Sequence, residues 1–234
     1  QSGLIYPQTI ILTTKHSSSD GIAPSIIAKY LQDSMLYNDV TSIEHCQRNW
    51  NYEKHIDSKT IDYLYNCGIG TPTKQNLQSF NLYLFTDLNE IEKIATSAAH
   101  PNYNEQGLQN PQVYAPLLFM WEYRKEALYE KEELTGVIQS KQGFKEEVCI
   151  EVGISSCAVA LAAAQINMKT GFCRCFDDVK FPKSISEKYS IRPRRFVLFL
   201  GVGYPVEEIP HNWCNDMKNF RPTYNKPIVP KNIF

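Results

Sequence analysis

The sequence predicts one α+β domain, with helices packed on a small sheet, and three observations carry that reading. Over 145–168, Ile150, Ile154, Cys157, Leu161, Ala164 and Met168 fall on one helical face, and alanines at 158, 160, 162 and 163 keep the rest small. A helix apolar almost all round belongs in the middle of a domain. Apolar runs of strand length recur at 82–85, 113–121 and 196–205, the last (FVLFLGVGYP) being the strongest. Neither an internal repeat nor a linker divides the 234 residues; residues 1–43 read as an N-terminal helical arm on a main domain spanning 44–234.

Ile10, Ile11 and Leu12 suit either a short strand or a packed arm. Over 22–37, Ile26, Ile27, Tyr30, Leu31 and Met35 recur at three and four, the period of an amphipathic helix. After a polar stretch at 44–50, Asp57 or Ser58 can cap a helix through Ile61, Leu64 and Tyr65 to Gly68. The strand at 82–85 is followed by Asp87, cap of a helix over 88–99 with Ile91, Ile94, Ala95 and Ala98 as its buried stripe. A Pro-, Asn- and Gln-rich loop at 100–112 leads into the run VYAPLLFMW. The charged section 122–145 reads as an exposed helix. Gly171 breaks the long helix, GFCRCF (171–176) reads as a strand, and a basic loop with Arg192, Arg194 and Arg195 precedes the last strand. Beyond Pro205 the tail is irregular and suited to wrapping a neighbour.

Charge excludes some functions. Lys and Arg (24) against Asp and Glu (25) leave a net charge of −1, which gives no electrostatic footprint for nucleic acid or an anionic membrane. The seven cysteines are odd in number and lie in apolar contexts, as expected of reduced thiols in a cytoplasmic protein. Without a CxxC pair or a histidine cluster, no metal site is expected; Cys173 and Cys175 form a lone CxC. No signal peptide is read at the N-terminus, and the uncharged run 152–168 is short for a membrane span.

The stretch that invites a site is 68–86. A polar run, Thr73, Lys74, Gln75, Asn76 and Gln78, lies between a helix end and a strand. Its hydroxyl, ammonium and carboxamide groups suit a ligand rich in carbonyls, ring nitrogens and phosphate.

Four segments then occur in a meaningful order: EHCQRNW at 44–50, PTKQNLQSF at 72–80, EVGISSCAVALAAA from Glu151, and FLGVGYP at 199–205. Together they resemble the nitroreductase family of FMN-dependent oxidoreductases, whose members carry an R-x-S-x-R-x-F segment, a P-S-x-x-N-x-Q-P-W loop, a D-x-G-x-x-x-x-N-x-x-L-A-A helix and a late G-Y-P. The resemblance implies a central, mostly antiparallel sheet flanked by helices and an intertwined homodimer, with 44–234 as the FMN-binding domain. It further implies two flavins at the subunit interface, each held by the arginine segment of one protomer and the polar loop of the other.

Mapped onto this chain, the resemblance places His45, Cys46 and Arg48 at the first of these, with Arg48 against the flavin's pyrimidine edge. Pro72, Thr73, Lys74, Asn76 and Gln78 fall on the cofactor-facing loop, and Asn102 matches an asparagine near the ring's polar edge. Ile150 and Glu151 fall where backbone N–H groups face flavin N5, and Lys218 and Arg221 where late cations bind phosphate, Arg221 by a bidentate guanidinium. The chain departs from the pattern at Glu44 in place of the first arginine, Cys46 in place of serine and Ser79-Phe80 in place of Pro-Trp. The implied activity is NAD(P)H-driven, ping-pong reduction of nitroaromatic, quinone or related acceptors, with no side chain as general acid or base. The alternative, raised by Glu44 and Cys46, is a degenerate member that binds flavin or a partner without turnover.

Overall fold

The computed structural model describes residues 46–98 and 110–206. The arm at 1–43, Glu44, His45, Asn102, Lys218 and Arg221 therefore lie outside the described residues. Within them, helices α1 (Ser58–Ile69), α2 (Leu88–Ala95), α3 (Glu126–Thr135), α4 (Lys141–Gln165) and α5 (Lys183–Tyr189) surround strands β1 (Phe80–Phe85), β2 (Leu117–Tyr123), β3 (Lys169–Cys173) and β4 (Phe196–Gly203). The strands form one sheet in the order β1-β2-β4-β3, and every neighbouring pair is antiparallel. The α+β class and the antiparallel sheet agree with the sequence.

Both faces of the sheet are covered, so β2 is buried along nearly its whole length. On one face Leu117, Phe119 and Trp121 meet α1, α3 and α4. On the other, Leu118, Met120 and Phe199 meet α2, the 3-10 turn Pro111–Tyr114 and α5. The alternation follows from the two-residue period of a strand. A buried hydrogen-bond chain ties the first face together: the Trp121 indole N–H donates to the Ser155 hydroxyl (2.9 Å), which donates to the Gly68 carbonyl (2.6 Å).

Local chemistry explains the helix limits. The Asp57 carboxylate accepts from the Thr60 amide, and this bond holds its pKa below the usual carboxylate value. Asp87 caps α2, whose Ile91, Ile94 and Ala95 are buried, with Ala98 just beyond. Gly136, at φ +67°, ends α3, and the Ser140 hydroxyl accepts from Gly143 N to start α4.

Four expectations are corrected. Helix α1 does not stop at Gly68 but runs one residue further, to Ile69, and the glycine serves packing: a Cβ there would come 2.8 Å from Val159 and 2.9 Å from Leu82. Gly171 is likewise inside β3 and not a breaker, and α4 ends instead near Asn167, at φ +58°. Val113 and Tyr114 belong to the 3-10 turn, and the strand starts at Leu117. In α4 the apolar stripe noted in the sequence turns outward over its first half: Ile150 is 65% and Ile154 44% exposed, while Phe144, Val148, Val152, Ser155 and Val159 pack inward. A helix apolar on most sides gives hydropathy no means of choosing its inner face.

Candidate functional site

The predicted loop is a built feature. It follows α1 and enters β1 through the 3-10 turn Lys74–Asn76, and three of its non-glycine residues have left-handed backbone: Gln75 (φ 52°), Asn76 (φ 56°) and Gln78 (φ 47°). Each such residue costs about 1–2 kcal/mol, so the conformation must be held from outside. Inside the loop, the Thr73 hydroxyl accepts from Gln78 N (2.9 Å). From α4, the Glu151 carboxylate, only 5% exposed, accepts from Lys74 N (2.8 Å) at Oε1 and from Ser79 N (3.3 Å) at Oε2.

One helical turn earlier, Glu147 accepts from the Lys74 ammonium (2.6 Å) and from buried Lys131 of α3, whose ammonium also reaches Gln139 Oε1 (2.6 Å). Partial burial pushes the Glu147 carboxyl up, but the two ammonium donors outweigh it and bring the pKa down to about 2. The same hydrogen bond raises the Lys74 pKa. Lys74 is thus engaged within the chain. Gln75 and Asn76 are exposed, and the carboxamides of Gln75, Asn76 and Gln78 have no hydrogen-bond partner among the described residues.

Cys46 and Arg48 stand elsewhere. Residues 46–47 run along the outer edge of β3, where Gln47 N donates to Thr170 O (2.8 Å) and the Cys46 thiol to Phe172 O (3.3 Å). Asn51 N then bonds Tyr204 O (2.8 Å), and Trp50 bridges Pro205. The Arg48 guanidinium is half-buried and donates to its neighbour's carbonyl, Cys46 O (3.1 Å). Burial raises the Cys46 thiol pKa against the opposing pull of Arg48.

The predicted residues therefore divide into two groups. Cys46 and Arg48 flank β3, whereas Pro72, Thr73, Lys74, Asn76 and Gln78 lead into β1, at the opposite edge. Three interstrand spacings, about 14 Å, separate those edges. One chain does not bring the groups together. Ile150 and Glu151 need a different correction: both lie mid-way along α4, where their amides are used in the i→i−4 ladder and cannot face a flavin N5. The functional part of Glu151 is its side chain. Ile150 contributes to an outward apolar strip, with Ile154, Cys157 and half-buried Leu161, that the other described residues leave uncovered.

Sequence reasoning missed Glu147, and it placed Lys131 on the solvated side of an exposed helix, whereas the residue is buried; their shared partners carry no motif. It also missed a cavity of about 260 Å³ between α4 and the adjoining ends of β2, β3 and β4, lined by residues including Lys145, Arg174, Arg194 and Phe196. The Phe196 ring stacks on Phe176 there at 4.0 Å. Arg194 had been visible only as part of a basic loop. In length and composition α4 would satisfy a membrane span, but its inner face is packed on the sheet.

The model of the Nitroreductase family matches residues 45–204. No curated protein matches the chain. Among solved structures, it is similar to Lactococcus lactis nitroreductase CinD in complex with 4-nitrophenol (TM-score 0.60, 12% identity, 76% of this chain and 92% of that one). It is also similar to a nitroreductase family protein of Streptococcus pneumoniae (TM-score 0.55, 18% identity, 75% and 91%). A third is an Exiguobacterium sibiricum protein assigned as a nitroreductase, in complex with FMN (TM-score 0.55, 15% identity, 77% and 96%). At such identities the likeness is one of fold.

Proposed function

The chain belongs to the nitroreductase family, and from that premise we propose that it is a homodimeric, FMN-dependent oxidoreductase. It takes hydride from NADH or NADPH and delivers it to a nitroaromatic, quinone or related acceptor in a ping-pong cycle. The family match over 45–204 carries this reading. Its two-chain form is supported by the separation of Arg48 from the loop and by the strip of Ile150, Ile154 and Cys157 on α4 that the other described residues leave exposed. Burying that strip against a second copy would remove apolar surface from water and let the β3 edge of one protomer approach the partner's loop.

The described residues fit the ring end of FMN. Gln75, Asn76 and Gln78 offer carboxamides not used elsewhere among the described residues, able to pair with the donors and acceptors of the ring's polar edge. Arg48 would lie beside the pyrimidine edge, where a cation stabilises developing negative charge. Thr73 and Pro72 shape the loop, and Lys74 contributes through its backbone, its ammonium being held by Glu147. By the resemblance, Arg221 and Lys218 would bind the phosphate, His45 and Cys46 belong to the arginine segment, and Asn102 would serve the ring's polar edge. FMN bound there would supply the hydride chemistry, and solvent the protons. The chain's task is to bind, orient and screen.

Absorbance of the purified protein, read before and after anaerobic NADPH, tests this. A flavin spectrum that bleaches and returns with a nitroaromatic or quinone is expected; a colourless protein that takes up no added FMN contradicts it.

One observation favours a second reading, a family member that binds flavin without turnover. Lys74, a cation available to offset Glu44, is already paired with Glu147, and the Arg48 guanidinium donates to the Cys46 carbonyl. Bound flavin that neither nicotinamide reduces would establish that reading.

A further inference from the structure

Gln75, Asn76 and Gln78 have backbone conformations that non-glycine residues adopt only when the surroundings impose them. The imposing groups are visible. Glu151 spans the loop from below, one carboxylate oxygen on the amide that opens the turn (Lys74 N, 2.8 Å) and the other on the amide that closes it (Ser79 N, 3.3 Å). Thr73 Oγ1 closes the same ring from within by accepting from Gln78 N (2.9 Å). Glu151 is buried, and these two amides are what its carboxylate is bonded to there. Of the strained residues, Gln75 and Asn76 are exposed and Gln78 is half-buried.

We propose that Glu151 is a positioning residue, whose buried carboxylate keeps the 73–79 loop in its strained, ligand-ready conformation before any ligand arrives. Pre-organisation of this kind lowers the ordering cost of binding. The proposal rests on the reading that the loop faces the flavin, but the clamp itself does not. A carboxylate is required because both contacts are acceptor positions. In a glutamine, one of the two oxygens becomes an NH2 group that faces an amide N–H, so one bond is lost and a donor opposes a donor. An aspartate is a methylene too short to span the pair.

The test compares wild type with Glu151→Gln and Glu151→Asp. In flavin-free protein, amide hydrogen exchange at Lys74 and Ser79 is expected to speed up roughly tenfold or more in both variants, with amides of β2 unchanged. Affinity for FMN, titrated by flavin fluorescence, is expected to fall by about tenfold in Glu151→Gln, while the melting temperature stays close to wild type. Unchanged exchange at Lys74 and Ser79 would overturn the clamp. Faster exchange with unchanged FMN affinity would overturn its positioning role. If wild type itself binds no FMN, the functional reading fails, and the exchange measurement still decides the clamp.

Discussion

The 73–79 loop and the 46–50 segment were both read as parts of one cofactor site, yet the chain holds them by opposite means. The loop is strained and is held largely by side chains: Glu151 on its amides, Glu147 on the Lys74 ammonium, Thr73 on Gln78. The 46–50 segment is relaxed and held mainly by backbone, through Gln47 to Thr170 and the Trp50–Pro205 bridge. The first should therefore respond to changes of side-chain charge. The second should respond only when the backbone is pushed away.

The largest effect is expected from pushing that backbone. Gly171 faces Gln47 so closely that a Cβ would come within 2.5 Å of Gln47 O and 2.6 Å of Gln112 Cβ. Gly171→Ala should cost about 1–3 kcal/mol by overpacking, read as a lower midpoint in urea, and should loosen 46–50 while leaving exchange at Lys74 and Ser79 unchanged. Parallel loosening of the loop would mean that the two regions are not independent.

A smaller effect is expected at the charged end of the loop. The folded-state pKa of Glu147 lies below its ordinary value of 4.5, at about 2. The stabilisation is therefore present in full above pH 4.5 and is lost as pH falls toward 2. Glu147→Gln should remove that acid dependence and lower stability near neutrality by about 1 kcal/mol, because the pair with Lys74 is half-exposed and screened while the bond with buried Lys131 is lost as well. The pH dependence of the melting temperature, compared between wild type and variant, checks both parts.

The same contrast explains what was legible in the sequence. Caps at Asp57 and Asp87, the α2 stripe and the core of the strands were readable because they depend on neighbours in sequence or on simple period. Gly68 and Gly171 were misread as breakers, since what they accommodate, Val159 and Gln47, is remote in the chain. Helix α5 went unread because it is seven residues long and buries only Ile185. At the site, the loop's polarity and position were visible, but its left-handed residues were not, because no glycine marks them. Glu151 was singled out for its amide, whereas its side chain, 77 positions from Lys74, makes the contact. The inner face of α4 could not be chosen from a helix apolar on nearly every side, and Ile150 and Ile154 of the stripe seen in the sequence turn out to be exposed.

Complementation between two variants tests the shared site most directly. Arg48→Ala damages the β3 edge and Asn76→Ala the loop, and each homodimer should retain little FMN. If each flavin lies between the arginine of one protomer and the loop of the other, co-refolding equal amounts returns intact sites in the mixed dimers. Half of the dimers are then mixed, each with one undamaged site, so bound FMN should recover to about a quarter of the wild-type level. Bound flavin that stays at the level of the separate variants would contradict a site built across two chains.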